Sequence, residues 1–266
     1  MCEHDAMVAS LLLPCARRMA IALLVVTLPG LAHAAPCRFE DQGQGHVTEV
    51  VDGRSFRLAD GREVKLAGIE PTDATKGERI AALSAIIADK DVSLHWPDDT
   101  PDRYGRQTAL VFLAPSDTLV QGLLLAEGAA LVSTEITDKN CAATLSAAEA
   151  TARIAKNGTW AGTAVIKNAE SADDILAGIG RFMLVEGRVL SVHQSGAVTY
   201  LNFGRRWTRG FAATISRRNV AAVESAGISL KSLENRRIRV RGWVEAHPGP
   251  RIEVTWSGQI EVLGGN

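Results

Sequence analysis

A short acidic turn is the first place in this sequence where catalytic chemistry could occur. The stretch VVDGRSF, residues 50–56, alternates like a strand that enters a turn, and Asp52 supplies a carboxylate there. A metal-binding turn would add a second carboxylate two residues later, because hard cations are held by several oxygen ligands. Arg54 stands at that position instead. The sequence therefore leaves two alternatives, a metal site with one ligand replaced and a turn that binds no metal.

A second candidate lies in the C-terminal third, where aromatic side chains are interleaved with arginines. The residues are Tyr200, Phe203, Arg205, Arg206, Trp207, Arg209 and Phe211. Proteins that bind single strands stack bases on aromatic rings and pair phosphates with arginines, so the pattern predicts a surface for single-stranded DNA or RNA. The alternative is a barrel core made of Phe203, Phe211 and Trp243, with the arginines facing water.

Other catalytic motifs are missing from the sequence. The histidines lack the spacing of a zinc site, and neither a Walker loop nor a Gly-x-Ser-x-Gly motif occurs. Asp98, Asp99 and Asp102 form an acidic loop that we expect to be solvated.

The elements around the acidic turn predict a small barrel. Three runs of alternating apolar residues, VTEVVDG, SFRLADG and REVKLAGIE, are joined by Asp-Gly pairs and predict sequential antiparallel strands. Residues 76–90 have helical periodicity, and residues 91–96 and 108–113 predict two more strands. Five strands with a helix between the third and fourth match the OB-fold, and two further helices follow in TLVQGLLLAEGAAL and CAATLSAAEATARIAKNG. The predicted class is mainly β with α, a five-stranded OB-fold barrel with three helices.

A second β-rich block predicts a second, smaller OB-like barrel. The expected domains are 35–162, a linker at 163–180 and a basic barrel at 181–266. Residues 35–180 hold 14 Lys/Arg against 22 Asp/Glu, a net charge of −8, whereas residues 181–266 hold 13 against 6, a net charge of +7. The basic module is the better candidate for contact with a polyanion.

The N-terminus predicts a secretory signal peptide spanning residues 1–34. Arg17 and Arg18 precede the apolar run MAIALLVVTL, and the sequence LAHA predicts cleavage after Ala34. The run is too short for a membrane span of about twenty residues, so we expect a periplasmic or secreted protein without stable membrane insertion.

Two cysteines remain after that cleavage, Cys37 and Cys141. Two thiols in an exported chain favour one disulfide. The alternative is two separate buried thiols.

The motifs together resemble the staphylococcal nuclease, or thermonuclease, family. The resemblance covers about residues 45–161. It depends on the order VVDG-x-Ser-Phe-x-LADG, then V-Lys-LAGI-acid, DRYGR, LLLAEG and a helix that ends in GTW. The family hydrolyses phosphodiester bonds of DNA and RNA with one Ca²⁺.

The resemblance implies a role for several residues. Asp52 and Glu70 match carboxylates of the metal site. Arg54, however, occupies the position at which the turn of the family supplies its metal-binding carboxylate. Asp73 matches the general base and is one methylene shorter than the family's glutamate. The phosphate-clamping arginines are matched by Lys65 and Arg106, and Tyr104 adjoins the second of them. These departures predict that Arg54 forms an internal ion pair in place of a metal, and that no cofactor is needed unless the family's Ca²⁺ site survives.

Three functions compete at this point. The first is an exported protein of the nuclease fold, weakly active or non-catalytic, that binds nucleic acid or another anion. The second is an active nuclease that uses Lys65, Glu70, Asp73 and Arg106. The third is a structural or protein-interaction module of the cell envelope, with an unidentified protein partner.

Overall fold

The structure is a computed structural model that describes residues 37–162, 164–206, 209–225 and 227–264. The predicted signal peptide therefore lies outside the described residues, as does Trp207. Within the part of the chain that the structure describes, no helix has the length and apolar character needed to span a bilayer.

The first barrel is a closed ring of five strands. Its elements are β1 (Asp41–Asp52), β2 (Ser55–Leu58), β3 (Glu63–Leu66), β4 (Ile69–Pro71), α1 (Lys76–Ile87), β5 (Asp91–His95), β6 (Gln107–Leu113), β7 (Thr118–Leu119), α2 (Val120–Ala126), β8 (Ala130–Val132) and α3 (Lys139–Ala155). The ring runs β1-β2-β3-β6-β5 and back to β1, and β3–β6 is its parallel pair. The mixed α+β class and the five-stranded barrel predicted from the sequence are confirmed.

Alternation along the strands fills this barrel with apolar side chains. Phe56, Leu58 and Leu66 are fully buried, and Leu83 of α1 joins the same core. Helix α1 begins at a capping box, in which Thr75 accepts from the Glu78 N–H and the Glu78 side chain accepts from the Thr75 N–H. The barrel core therefore fixes β2, which follows the acidic turn, and α1, which packs against the turn at Gly53.

The predicted disulfide between Cys37 and Cys141 is present. It joins the segment before β1 to the first turn of α3, across 104 positions of the sequence. Both residues are buried in the core of the first barrel.

The second block has the same strand order. Its elements are β9 (Ile166–Asn168), α4 (Ala172–Leu176), β10 (Phe182–Arg188), β11 (Ser191–Ser195), β12 (Val198–Asn202), β13 (Ala212–Ser216), α5 (Arg217–Glu224), β14 (Arg237–His247), β15 (Gly249–Glu253) and β16 (Ile260–Val262). The order β11-β12-β13-β15-β14-β10 repeats the first ring, with β10 and β11 together in the place of β1. The parallel pair is again the third strand with the fifth, here β13 with β15. Strand β16 pairs with β14 at the side of this sheet.

The segment predicted as a linker belongs to the second block. Strand β9 pairs in parallel with β10, while Ala169 and Ile175 are buried in the second core. The segment consists mainly of small and polar residues, so its regular structure depends on these tertiary contacts.

The two barrels share a buried contact. Arg241 of β14 makes a two-pronged ion pair with Glu149 of α3, at 2.9 Å and 3.0 Å, and both side chains are buried. A small apolar cluster accompanies the pair, with Leu131 and Trp160 from the first barrel and Phe182 from the second. Residues from 35 onward consequently form one compact unit.

Candidate functional site

The acidic turn is held tightly between β1 and β2. The Arg54 N–H donates to Asp52 Oδ1 over 2.8 Å, so Asp52 closes its own turn. Gly53 lies against α1, where a Cβ atom would be 2.6 Å from Cβ of Arg79. The turn therefore requires glycine here, and the close approach fixes the direction in which Arg54 leaves the barrel.

Arg54 pairs with Glu70 at the mouth of the barrel. Its Nη1 lies 2.6 Å from Glu70 Oε2 and also donates to the Ile69 carbonyl over 3.4 Å. Strand β4 places Glu70 opposite Leu131 of β8, and only 4% of the Glu70 side chain is exposed. The internal ion pair predicted for Arg54 is therefore present, with Glu70 as its partner.

The charge environment of Glu70 extends to two more residues. Burial raises the pKa of the Glu70 carboxyl to about 7, against the lowering effect of the Arg54 guanidinium. The Glu135 carboxylate raises the pKa further and the Lys65 ammonium lowers it. Lys65 itself lies 3.6 Å from Glu135, so the cation at the first phosphate-clamp position already has an acidic neighbour.

These residues do not fit a calcium ion. Nowhere in residues 37–162, 164–206, 209–225 and 227–264 do three or more His, Cys, Asp or Glu side chains converge as they would around a metal. The carboxylate of Glu70 faces a guanidinium, and one oxygen of Asp52 accepts a hydrogen bond from its own turn. Ca²⁺ needs several oxygen donors free of a competing cation, so this donor set lacks its chemistry.

Asp73 lines a cleft between the two barrels. Its Oδ1 is 3.6 Å from Nη1 of Arg181, and both side chains are about two-thirds exposed. The cleft has a volume of about 370 Å³ and is also lined by Arg79 and Trp243. The residue at the general-base position therefore faces the second barrel.

Arg106 is fixed by an acid of its own loop. Its Nε and Nη2 both donate to Asp102 Oδ2, over 3.0 Å and 2.8 Å. Burial disfavours the charged Asp102, but its hydrogen bonds from Arg106 and from the Tyr104 N–H outweigh that effect and lower the pKa to about 2. Asp102 was expected to be a solvated loop residue, and instead it positions the guanidinium.

Tyr104 is an exposed aromatic beside two guanidiniums. Two-thirds of it is accessible, and Arg103 and Arg106 lie 4.8 Å and 5.2 Å from its ring centroid. A planar ring flanked by cations suits a nucleic-acid strand.

The second barrel separates the residues that the sequence grouped there. Arg205, Arg206 and Arg209 are exposed. Phe203 does not belong to the predicted binding surface. Its ring is buried in the second core, with its centroid 5.1 Å from that of Phe211. The alternative reading of that core also fails for Trp243, which is 47% exposed and packs edge-on against Phe182.

Tyr200 belongs to a pair that sequence reasoning missed. The guanidinium of Arg251 lies over its ring, 5.2 Å from the centroid. Glu135 and Arg181 were missed in the same way as partners of Lys65 and Asp73. Each partner is distant in sequence, and alternation alone does not reveal it.

The ring of five strands, with charged side chains gathered at its mouth, defines a protein of the OB-barrel class. Residues 77–162 match the model of the family described as Staphylococcal nuclease homologue, so this part of the chain is similar to that family. The match begins at α1 and therefore leaves out the turn at Arg54. No curated protein matches the chain. The block from residue 181 lies outside the match, and its assignment as an OB-like domain stays a prediction.

Proposed function

We propose that this chain is an exported, nucleic-acid-binding protein of the nuclease family whose first barrel has weak or no calcium-dependent activity. The observation that carries the proposal is the 2.6 Å contact between Arg54 Nη1 and Glu70 Oε2. The Cys37–Cys141 disulfide and the N-terminal leader pattern support export, because disulfides persist in oxidising compartments.

The positive charge of Arg54 would repel a metal ion at the acidic turn. A guanidinium about 4 Å from a divalent ion costs on the order of several kcal/mol for each unit of ionic charge, even at an effective dielectric constant of 20. Arg54 also engages one carboxylate oxygen of Glu70. Calcium would have to displace a buried ion pair before it could bind.

The remaining charges suit binding better than hydrolysis. Arginine can clamp a phosphate and stabilise negative charge, but it does not activate water by lowering its pKa as a metal does. Lys65 supplies charge without the two-pronged geometry of arginine. Arg106 is oriented by Asp102 and stacked on Tyr104, so it is the best-placed cation of this barrel for a phosphate.

Restoring the acid in the turn tests the proposal. Arg54→Asp places a carboxylate beside Asp52 and Glu70, whereas the matched control Arg54→Asn removes the same guanidinium without adding charge. We expect calcium to raise the thermal midpoint of Arg54→Asp, by an amount equivalent to about 2.7 kcal/mol at a concentration of 100 Kd. The unchanged chain and Arg54→Asn should not respond to calcium.

Two outcomes would contradict the proposal. Calcium-dependent stabilisation of the unchanged chain would show that Arg54 does not exclude the ion. Calcium-dependent nicking of a plasmid that disappears in Asp73→Ala would establish the active nuclease instead.

A nucleic-acid binding assay distinguishes the envelope module from both the proposed binding protein and the active nuclease. Retention on immobilised single-stranded DNA that weakens with salt supports the proposal, because released counterions give phosphate contacts a strong salt dependence. Failure to bind at low salt would favour the envelope module.

A further inference from the structure

We infer that the second barrel carries its own site for single-stranded nucleic acid, on the outer face of β11, β12, β13 and β15, centred on Tyr200 and Arg251. The inference goes beyond the proposed function, since it assigns binding to a region outside the family match. It rests on that proposal only for the class of ligand.

Strand alternation turns Tyr200 and Arg251 away from the core. Their neighbours Leu201 and Ile252 are fully buried in the second core, so the side chains between them point outward. Tyr200 lies opposite His193 of β11 on one side and opposite Thr214 of β13 on the other. His193 is exposed whereas Thr214 is buried, so the accessible surface around Tyr200 extends toward β11.

The geometry of this surface suits a base and its phosphate. Arg251 lies 5.2 Å from the centroid of the Tyr200 ring, and this contact orders both side chains before any ligand arrives. A concavity of about 620 Å³ opens beside them, and Leu190, His193 and Arg205 also line it. Glu234 is its single carboxylate neighbour. An apolar wall, an aromatic ring and two arginines are the components that single-strand binders use.

The arginines of the second barrel fall into two groups by what they contact. Those of β14 are engaged in ion pairs, Arg237 and Arg239 with Glu186 and Arg241 with Glu149. Arg205 and Arg251, by contrast, form no ion pair within the described residues. Two positive charges without an acidic ion-pair partner among the described residues therefore line the concavity, where they can pair with phosphates.

The aromatic ring distinguishes a nucleic acid from other polyanions. Unpaired arginines attract any polyanion, but a base adds stacking on Tyr200 that sulfated or phosphorylated chains without rings cannot supply. A single strand exposes its base faces, whereas a duplex buries them in its stack. The site should therefore prefer single strands over duplexes of the same charge.

The experiment measures fluorescence anisotropy with the full chain and a labelled oligothymidine of about 16 nucleotides, the upper range for one OB barrel. We expect Tyr200→Ala to weaken binding about 5- to 100-fold, the loss of one stacked base, and Tyr200→Phe to bind as tightly as the unchanged chain. Arg251→Gln should lower the slope of log affinity against log salt by about 0.7, the value for one lost phosphate contact on a single strand.

Tyr104→Ala is the matched control, because Tyr104 is the other tyrosine of the chain and is also flanked by arginines, but in the first barrel. Loss of affinity in Tyr200→Ala that exceeds the loss in Tyr104→Ala supports the inference. Loss in Tyr104→Ala alone would overturn it and leave the proposed function standing, whereas absence of binding by the unchanged chain would overturn both. Equal competition by a polyphosphate or a duplex would also overturn the inference, since it would show recognition of charge alone. Thermal melts of each variant should match the unchanged chain, because neither tyrosine belongs to a barrel core.

Discussion

The first barrel joins β3 to β6 in parallel, and the second joins β13 to β15 in the same position of the ring. A helix follows the third strand in each, α1 in the first barrel and α5 in the second. The two barrels share this strand order, but their charged side chains have different ion-pair partners. The same arrangement of strands can thus carry cations that are paired with acids at the barrel mouth, or unpaired arginines on its outer face.

In the first barrel, each predicted site cation has an acidic neighbour. Arg54 contacts Glu70, Lys65 lies near Glu135, and Arg106 is bound by Asp102. In the second barrel, ion pairing is concentrated on β14, which faces the first barrel, and the outer strands keep arginines without acidic partners among the described residues. This difference in ion pairing is the basis for placing the proposed binding site on the strand face of the second barrel and not at the mouth of the first.

The largest expected effect comes from the disulfide, which only the first barrel has. Replacing Cys37 and Cys141 by serine opens a loop of 104 residues, and the chain-entropy description gives a loss of about 4 to 5 kcal/mol in the free energy of unfolding. Urea unfolding followed by circular dichroism measures this loss. Identical transitions for the oxidised chain and the double variant would show that the bond does not limit the unfolded state.

The contact between the barrels should rank next. Arg241→Ala leaves the Glu149 carboxylate buried without its partner, which typically costs about 3 to 5 kcal/mol of stability. Arg237→Ala is a control on the same strand and should cost less than about 1 kcal/mol, because the Arg237 side chain is 64% exposed and Glu186 keeps Arg239 as a partner. Combining Arg241→Met with Glu149→Leu should recover most of the loss, because apolar residues of similar volume remove both charges. If Arg241→Ala costs no more than Arg237→Ala in urea unfolding, the buried pair does not couple the barrels.

The pH dependence of stability tests the Glu70 environment. The pKa of Glu70 rises from 4.5 to about 7 on folding, so the folded chain binds more protons than the unfolded chain between these values. Stability should therefore fall as pH rises from 4.5 to 7, by roughly 3 kcal/mol for this group. The pKa of His46 is also raised, by hydrogen bonds to Asp91 and Asp89, so its contribution is likewise lost as pH rises.

Glu70→Gln separates these contributions, because it keeps a hydrogen-bond acceptor for Arg54 but cannot ionise. The variant should lose most of the pH slope in urea unfolding and keep the part that belongs to His46. A slope equal to that of the unchanged chain would mean that Glu70 is not the group responsible.

The strands of the first barrel could be predicted because their signals are local. Alternation gives the face of each strand, and Asp-Gly pairs at 52–53 and 60–61 give the turns. Helix starts were less predictable, since α3 begins at Lys139, two residues before the predicted segment CAATLSAAEATARIAKNG, and is capped by Asp138, which accepts from the Cys141 N–H. The cap depends on where the preceding loop leaves β8, which is a tertiary property.

The site was predictable only in part. The charge conflict at Arg54 is visible in the sequence because Asp52 lies two residues away. Glu135 and Arg181 lie about 70 and 108 positions from the residues they approach, so only the fold reveals these partners. Phe203 was misassigned because it directly follows β12 and its ring packs beside Phe211 in the second core, a contact that the aromatic and arginine pattern does not reveal.

The smallest expected effect concerns Arg181, the residue of the second barrel that approaches the general-base position of the first. Its contact with Asp73 is exposed and 3.6 Å long, so Arg181→Ala should change stability by less than about 1 kcal/mol. It should also leave plasmid nicking unchanged, because Arg54 still opposes the metal at the turn. In Arg54→Asp, however, the added Arg181→Ala should raise calcium-dependent nicking above that of Arg54→Asp alone, since Asp73 is then released toward a nucleic-acid substrate. If Arg181→Ala alone restored calcium-dependent nicking, the contact from the second barrel, and not Arg54 in the turn, would be the cause of the lost activity of the first barrel.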